Sequence, residues 1–158
     1  MTKKTFFAGD IITPEDCSFG LGSIYLAGPG YDWRDKLIDK INCDCSIFNH
    51  WPAINTGKKL INLNNKTTCK IPYTQTWQWE AMAMSMASVI VFWFPKNEID
   101  EKSLVDFGIW SNSERVFLGI ENKSEGSYPA HLLYQNHRLY PAETLDQLAE
   151  MVTHWMKE

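Results

Sequence analysis

The chain has no run of positive charge longer than a pair of lysines, Lys3-Lys4 and Lys58-Lys59, and its formal net charge is −4. This removes the basic stripe by which proteins grip duplex nucleic acid, so a small molecule is expected as ligand and not a nucleic acid polymer. Long apolar runs are missing too. The longest, around Met86 to Phe94, is about half of the ~20 residues that cross a bilayer, and no membrane partner is expected. Met1 to Phe7 starts basic but meets Asp10 before an apolar stretch develops, so the h-region of a secretory signal is absent and the expected location is cytoplasmic. Cysteine is scarce, with Cys17, Cys43, Cys45 and Cys69 expected as free thiols in that compartment. Neither a second cysteine pair nor clustered histidines accompany Cys43 and Cys45, and His50, His131, His137 and His154 are scattered, which excludes the usual zinc patterns. Without a G-x-G-x-x-G or P-loop segment, no metal and no cofactor is implied.

What the chain does have is core-forming material. Of its 158 residues 44% are apolar and 13% aromatic, with seven tryptophans, enough for one domain folding around its own core. That domain is expected to span 1–158, with 1–22 an extension for which only an edge strand from Thr5 to Ile12 suggests itself. Ser23 to Ala27 reads as a strand stopped by Gly28-Pro29-Gly30, after which Asp32 suits a helix N-cap and Leu37, Ile38 and Ile41 take core spacing as far as Asn42. A second strand is expected at 45–50, and 51–74 reads as an irregular loop able to cover a site. A helix from Thr74 to Ala87 leads into Val89-Ile90-Val91-Phe92-Trp93-Phe94, six apolar residues suited to a parallel strand buried on both faces. There follow a polar loop, a helix at 103–112, a strand at 115–120, a polar loop at 121–130, a short strand near 137–140 and a helix opened by Thr144 and Gln147. Strands separated by helices imply a parallel α/β sheet with right-handed crossovers, covered on both sides.

Two acids stand in apolar company. Glu80 is the single charge between Lys70 and Lys96, and Asp106 is the single charge in Ser103 to Trp110, a segment apolar on nearly every face and so expected to be buried. Burying an ionised carboxylate without a partner costs several kcal/mol, roughly, so such acids are paired, hydrogen-bonded or shifted in pKa, and shifted acids are candidates for catalysis. Both helices flank the 89–94 strand, and the loop after it carries Asp100. Ligands of open α/β sheets bind beyond the carboxyl ends of the strands where the strand order reverses, which would join the Gly28–Trp33 turn with the Lys96–Lys102 loop and bring Tyr25 to three acids. Two carboxylates about 5–5.5 Å apart form the apparatus of retaining glycoside chemistry.

These segments resemble the nucleoside 2-deoxyribosyltransferase-like family. Tyr25-Leu26-Ala27-Gly28-Pro29 is similar to its opening Y-L-A-G-P, Trp33-Arg34 to the W-R that follows, and Trp79-Glu80 with Ala87 to Pro95 to W-E and A-D-V-I-L-F-W-x-P. Ser103 to Trp110 resembles T-x-x-E-x-G-x-[WY], the segment bearing the nucleophile. The resemblance implies a flavodoxin-like three-layer α/β/α fold with a five-stranded parallel sheet. It also implies cleavage or transfer at the N-glycosidic bond of a nucleoside or nucleotide, and a homo-oligomer whose subunits complete one another's sites. Carried over by position, Asp106 is the nucleophile, Asp100 the acid six residues before it, Glu80 an acid that holds base or nucleophile, and Tyr25 a donor to the nucleophilic carboxylate. Gly28, Pro29, Trp33, Arg34, Trp93 and Ser103 are the expected substrate-binding residues; for Arg34 a phosphate contact and a surface ion pair stand equally open, and Trp33, Trp93 and Trp110 are open to core packing or to stacking on a base, the cleft position favouring Trp33 and Trp93 for stacking. Two positions depart from the pattern: Asp106 stands where Glu is usual, one methylene shorter, and Ser88 where Asp is usual. The alternatives are a pocket that binds a nucleotide-derived ligand without chemistry and a structural or partner-binding domain.

Overall fold

The computed structural model describes residues 3–7, 22–49, 73–96, 98, 100–121 and 141–158. Five strands, β1 (Lys3–Phe7), β2 (Gly22–Ala27), β3 (Cys45–Asn49), β4 (Val89–Phe94) and β5 (Val116–Ile120), pair in the order β1-β3-β2-β4-β5, all parallel. Four helices are described: α1 (Asp32–Lys40), α2 (Tyr73–Met86), α3 (Glu101–Trp110) and α4 (Leu145–Lys157). The fold is the expected flavodoxin-like three-layer α/β/α arrangement. Strands β2 to β5 follow the doubly wound order, and the N-terminal strand, which starts at Lys3 and so before the expected Thr5, joins the outer edge beside β3, the rest of the expected stretch to Ile12 lying outside the described residues. A single parallel bridge, Gly119 to Ala142, continues the sheet past β5. The expected strand near 137–140, the loops at 51–72 and 122–130, and Cys17, Cys69, His50, His131 and His137 lie outside the described residues.

The twofold alternation of strand side chains sorts the core into two layers. Tyr25, Ala27, Ile90, Phe92 and Phe94 face α2 and α3, meeting Trp79, Ala83, Met84 and Phe107. Ile24, Leu26, Val89, Val91 and Trp93 face α1 and α4, meeting Trp33, Leu37, Leu148, Ala149 and Val152. Each fully buried Leu, Val or Phe contributes about 1.5–3 kcal/mol, so β4, buried along its whole length, is the spine of the sheet. At its amino end Ser88 and Ser23 are mutually hydrogen-bonded, Ser88 N–H to Ser23 Oγ at 3.0 Å and Ser23 N–H to Ser88 Oγ at 3.2 Å. Ser88 is thus a staple between β2 and β4, at the end of β4 opposite Trp93. Cys43 and Cys45 are buried free thiols beside β3, and burial pushes Cys45 up to about 12, so both behave as small core residues. Among the described residues no helix is long and apolar enough to cross a membrane.

Three local expectations are corrected. Asp32 is the first residue of α1 and not its cap; Tyr31 holds that position without a side-chain cap, and Asp32 and Asp35 complement the positive end of the helix. That helix ends at Lys40, two residues early, because Ile41 is already extended. The third helix starts at Glu101 with Asp100 as its cap, so Lys102 lies inside it, and it is not buried all round: Val105 and Ile109, one turn apart, are exposed within the single chain. Thr144 caps α4 as expected, accepting from Gln147 N–H at 3.2 Å.

The turn after β2 depends on Gly28, whose φ of +124° suits only glycine and whose missing side chain lets the backbone approach β4. A Cβ there would lie 2.0 Å from Trp93 O. Gly28→Ala is expected to lower the unfolding free energy by about 2–3 kcal/mol through combined strain and clash, measured as a reduced urea midpoint at constant slope.

Candidate active site

The connection from β2 leads to α1 on one face of the sheet and that from β4 to α3 on the other, so a crevice opens between their carboxyl ends. Into it the turn after β2, the cap of α3 and one side each of α2 and α3 project a pocket of about 90 Å³, lined among others by Tyr25, Gly28, Arg34, Glu80, Asp100, Lys102, Ser103 and Asp106. All four residues expected to be catalytic therefore meet in one place. The core sets their positions. Phe107 is fully buried and packs edge-on against Phe92 and Phe94, with ring centroids 5.2 Å and 6.3 Å away, which pins α3 to β4 and turns the neighbouring Asp106 inward. In the same way Trp79, edge-on to Phe48 at 6.5 Å, anchors α2 and sets Glu80 beside the pocket.

At the centre is a residue the motifs did not single out. Lys102 Nζ donates to Asp106 Oδ2 at 2.7 Å and to Glu80 Oε2 at 2.8 Å, joining α3 to α2 through one ammonium. Both oxygens bind the same nitrogen, so they lie within roughly 5.5 Å of each other. Burial raises the Asp106 pKa above the usual carboxylate range, Lys102 opposes the rise, and the negative charges of Glu80 and Asp100 add to it. Burial likewise works against the charge on Lys102, but its bonds to Asp106 and Glu80 outweigh this and hold its pKa above the ordinary lysine value. Tyr25, fully enclosed, is driven well above its usual pKa by burial and then by Glu80, with Asp106 adding and Arg34 opposing, so it stays a neutral phenol able to donate.

Asp100 caps α3, its Oδ1 accepting from Ser103 N–H at 2.6 Å, so its carboxylate serves the helix as well as facing the pocket. Ser103 reaches this arrangement through its main chain. Arg34 is placed differently from a phosphate ligand. Its guanidinium donates to Leu26 O at 2.7 Å, Gly28 O at 2.9 Å, Gly30 O at 3.2 Å and Asn49 Oδ1 at 3.0 Å, and it is 3% exposed. Its donors hold the turn. The expected stacking residues also lie elsewhere. Trp33 donates its indole N–H to Pro29 O at 2.8 Å and, like Trp93, is buried in the α1 and α4 layer, where Trp93 lies over Gly119. Trp110 packs half-buried against the other layer and carries Arg115 over its ring at 5.3 Å.

Trp33 and Trp93 instead line a second cavity of about 440 Å³, with Lys36, Lys40, Pro95, Glu98, Glu121 and the start of α4. Tyr31, 41% exposed, borders both cavities and is the described aromatic residue at this end with an accessible ring. Among the described residues no group of three or more His, Cys, Asp or Glu is arranged to hold a metal ion. Comparison with protein-family models and with curated proteins finds no match for this sequence.

A raised carboxylate pKa means that the folded protein binds the Asp106 proton more tightly than the unfolded chain does. Stability therefore falls as pH rises from the ordinary carboxylate pKa through the raised one, and at neutral pH the ionised Asp106 is a net cost. Asp106→Asn is expected to raise the melting temperature at pH 7, by about 2–4 °C per kcal/mol recovered. The gain over wild type should shrink as calorimetric scans are moved to pH 4.

Proposed function

We propose that this protein cleaves or transfers the N-glycosidic bond of a nucleoside or nucleotide, with Asp106 as nucleophile. The observation that carries the reading is the pair of carboxylates, Asp106 and Glu80, held on one ammonium in a pocket that also contains Tyr25 and Asp100. In the first step an Asp106 oxygen bonds to the anomeric carbon while the carbon–nitrogen bond breaks and its electron pair leaves with the base. The departing base takes up a proton that enters from solvent, and Asp100, the further carboxylate of the pocket, is the candidate to relay it. The glycosyl ester on Asp106 is then attacked by water, giving hydrolysis, or by a second base, giving transfer; the attacking group gives up its proton to solvent by the same relay as the ester carbon–oxygen bond breaks and the Asp106 carboxylate is regenerated. The Tyr25 phenol supports the Asp106 carboxylate as a hydrogen-bond donor. A pocket of about 90 Å³ suits the sugar, and Tyr31 at its rim offers an aromatic face for the base. The nucleoside 2-deoxyribosyltransferase-like motifs point to the same chemistry and need no cofactor.

A second reading, a pocket that binds a nucleotide-derived ligand without turnover, is favoured by one contact. The Lys102 ammonium on Asp106 lowers the basicity of the oxygen it touches, which weakens a nucleophile. The two readings separate on one experiment. Wild-type protein incubated with a panel of nucleosides and nucleotides, with and without an acceptor base, is expected to release or exchange base, followed by chromatography. Asp106→Asn should abolish this and leave affinity within roughly tenfold, because it removes the attack and little of the binding surface. Tight binding by calorimetry with no base released over hours would establish the binder.

The protein is further proposed to act in the cytoplasm as a homo-oligomer. The exposed pair Val105 and Ile109, on the same helix as Asp106, supplies an apolar surface for a neighbouring copy. Light scattering is expected to give a dimer or larger, and Val105→Glu with Ile109→Lys to reduce it to the 18.3 kDa chain. Wild type at that mass throughout the micromolar range would exclude assembly.

A further inference from the structure

We propose that Lys102 is a positioning residue of this site, an internal counter-ion that fixes one oxygen of Asp106 beside Glu80 and thereby sets the geometry and charge of the Asp106 carboxylate. The proposal rests on the reading of Asp106 as the reacting group, but its test does not require turnover.

Geometry carries it. Lys102 and Asp106 are four residues apart on α3, so their side chains lie on one face of the helix, and Glu80 approaches from α2. Glu80 is 2% exposed, and its carboxylate and that of Asp106 would repel at this separation without a cation between them. Among the described residues Arg34 is the further cation lining the pocket, and it is committed to the carbonyls of the turn and to Asn49, so it does not replace Lys102. Asp106 therefore faces Lys102 and the negative Asp100 on its own element, negative Glu80 on α2, the neutral phenol of Tyr25 on β2 and the more distant Arg34 on α1. Among the described residues Lys102 favours the ionised form of Asp106, against burial, Glu80 and Asp100. Bonding at one carboxylate oxygen also restricts rotation of a short side chain, the condition for holding a reacting oxygen within a fraction of an ångström.

The test is a pH titration of protein labelled with ¹³C at the aspartate carboxyl carbon, the Asp106 signal being assigned by its loss in Asp106→Asn. Lys102→Met is expected to move the Asp106 midpoint up by about one unit or more, a tenfold tighter proton, while Lys102→Arg keeps it near wild type. Glu80→Gln, which removes the opposing charge and leaves the ammonium to Asp106, is expected to move it down, and this arm serves if Lys102→Met does not fold. An Asp106 midpoint unchanged in folded Lys102→Met, or unchanged in Glu80→Gln, would overturn the proposal. If the wild type releases base, the acid limb of kcat/KM should move up in Lys102→Met by the same interval as the midpoint. Midpoints that move as expected in a protein that never releases base would leave the role of Lys102 standing and refute the glycosidic reading alone.

Discussion

The buried guanidinium of Arg34 is the contact on which the carboxyl end of this molecule depends. The turn after β2 must leave three carbonyls, those of Leu26, Gly28 and Gly30, near the protein interior, and each would cost about 1–3 kcal/mol if deprived of a donor. One side chain from the first turn of α1 satisfies all three and reaches Asn49 at the end of β3 as well. The fork of N–H groups suits this task because its donors lie in a fixed plane, which a lysine could not reproduce. Through it β2, β3 and α1 are tied at one point, and the turn becomes the wall between the two cavities. Burial pulls the Arg34 pKa down, while Tyr25, Tyr31, Glu80 and Asp100 around it pull it back up. The acids of the pocket thus support the cation that shapes the pocket.

The same economy governs the carboxylates. An acid in an apolar layer is expensive, and here the expense is limited by sharing: one lysine serves Asp106 and Glu80, and Asp100 serves both the pocket and the amino end of α3. The compensation is partial for Asp106, whose pKa remains raised with Lys102 in place. Such residual strain is what a binding or catalytic pocket retains and an optimised core does not. It distinguishes this cluster from the Lys40–Asp146 pair at 2.5 Å, which joins α1 to α4 between solvent-exposed side chains and adds little to stability.

Much of this was legible in the chain before its structure. The run from Val89 to Phe94 suits a strand covered on both faces, Gly28-Pro29-Gly30 suits a turn, and Thr144 with Gln147 marks the start of α4, because these signals depend on neighbours in sequence. The isolation of Glu80 and Asp106 was visible for the same reason. Lys102 escaped notice because the sequence puts it at the end of the polar loop before the helix, where a lysine ordinarily points to solvent, and nothing local says that a carboxylate from α2 will meet it. Arg34 was open for the converse reason: an arginine beside a glycine turn suits a phosphate or an ion pair, and only the chain's own path shows that its donors face carbonyls 26, 28 and 30. Of the two uses open to Trp33 and Trp93, stacking in the crevice or packing in the core, the alternation along β4 turns Trp93 toward α1 and α4, and Trp33, on α1 itself, packs in the same layer.

The sequence by itself determined the order of the elements from β2 to β5, the parallel sheet, and the four residues, Tyr25, Glu80, Asp100 and Asp106, that gather at its carboxyl end. Short-range periodicity and the pattern of apolar residues decide those, since each strand and helix must bury its own apolar face. The tertiary structure alone decided which charges pair. An ion pair between α2 and α3, or a guanidinium spanning the ends of β2 and β3, depends on distances of a few ångströms between segments far apart in the chain. Coulomb and hydrogen-bond energies change steeply over that range. Local sequence carries no record of it, so the cation that sets the charge of the pocket became apparent only with the helices in place.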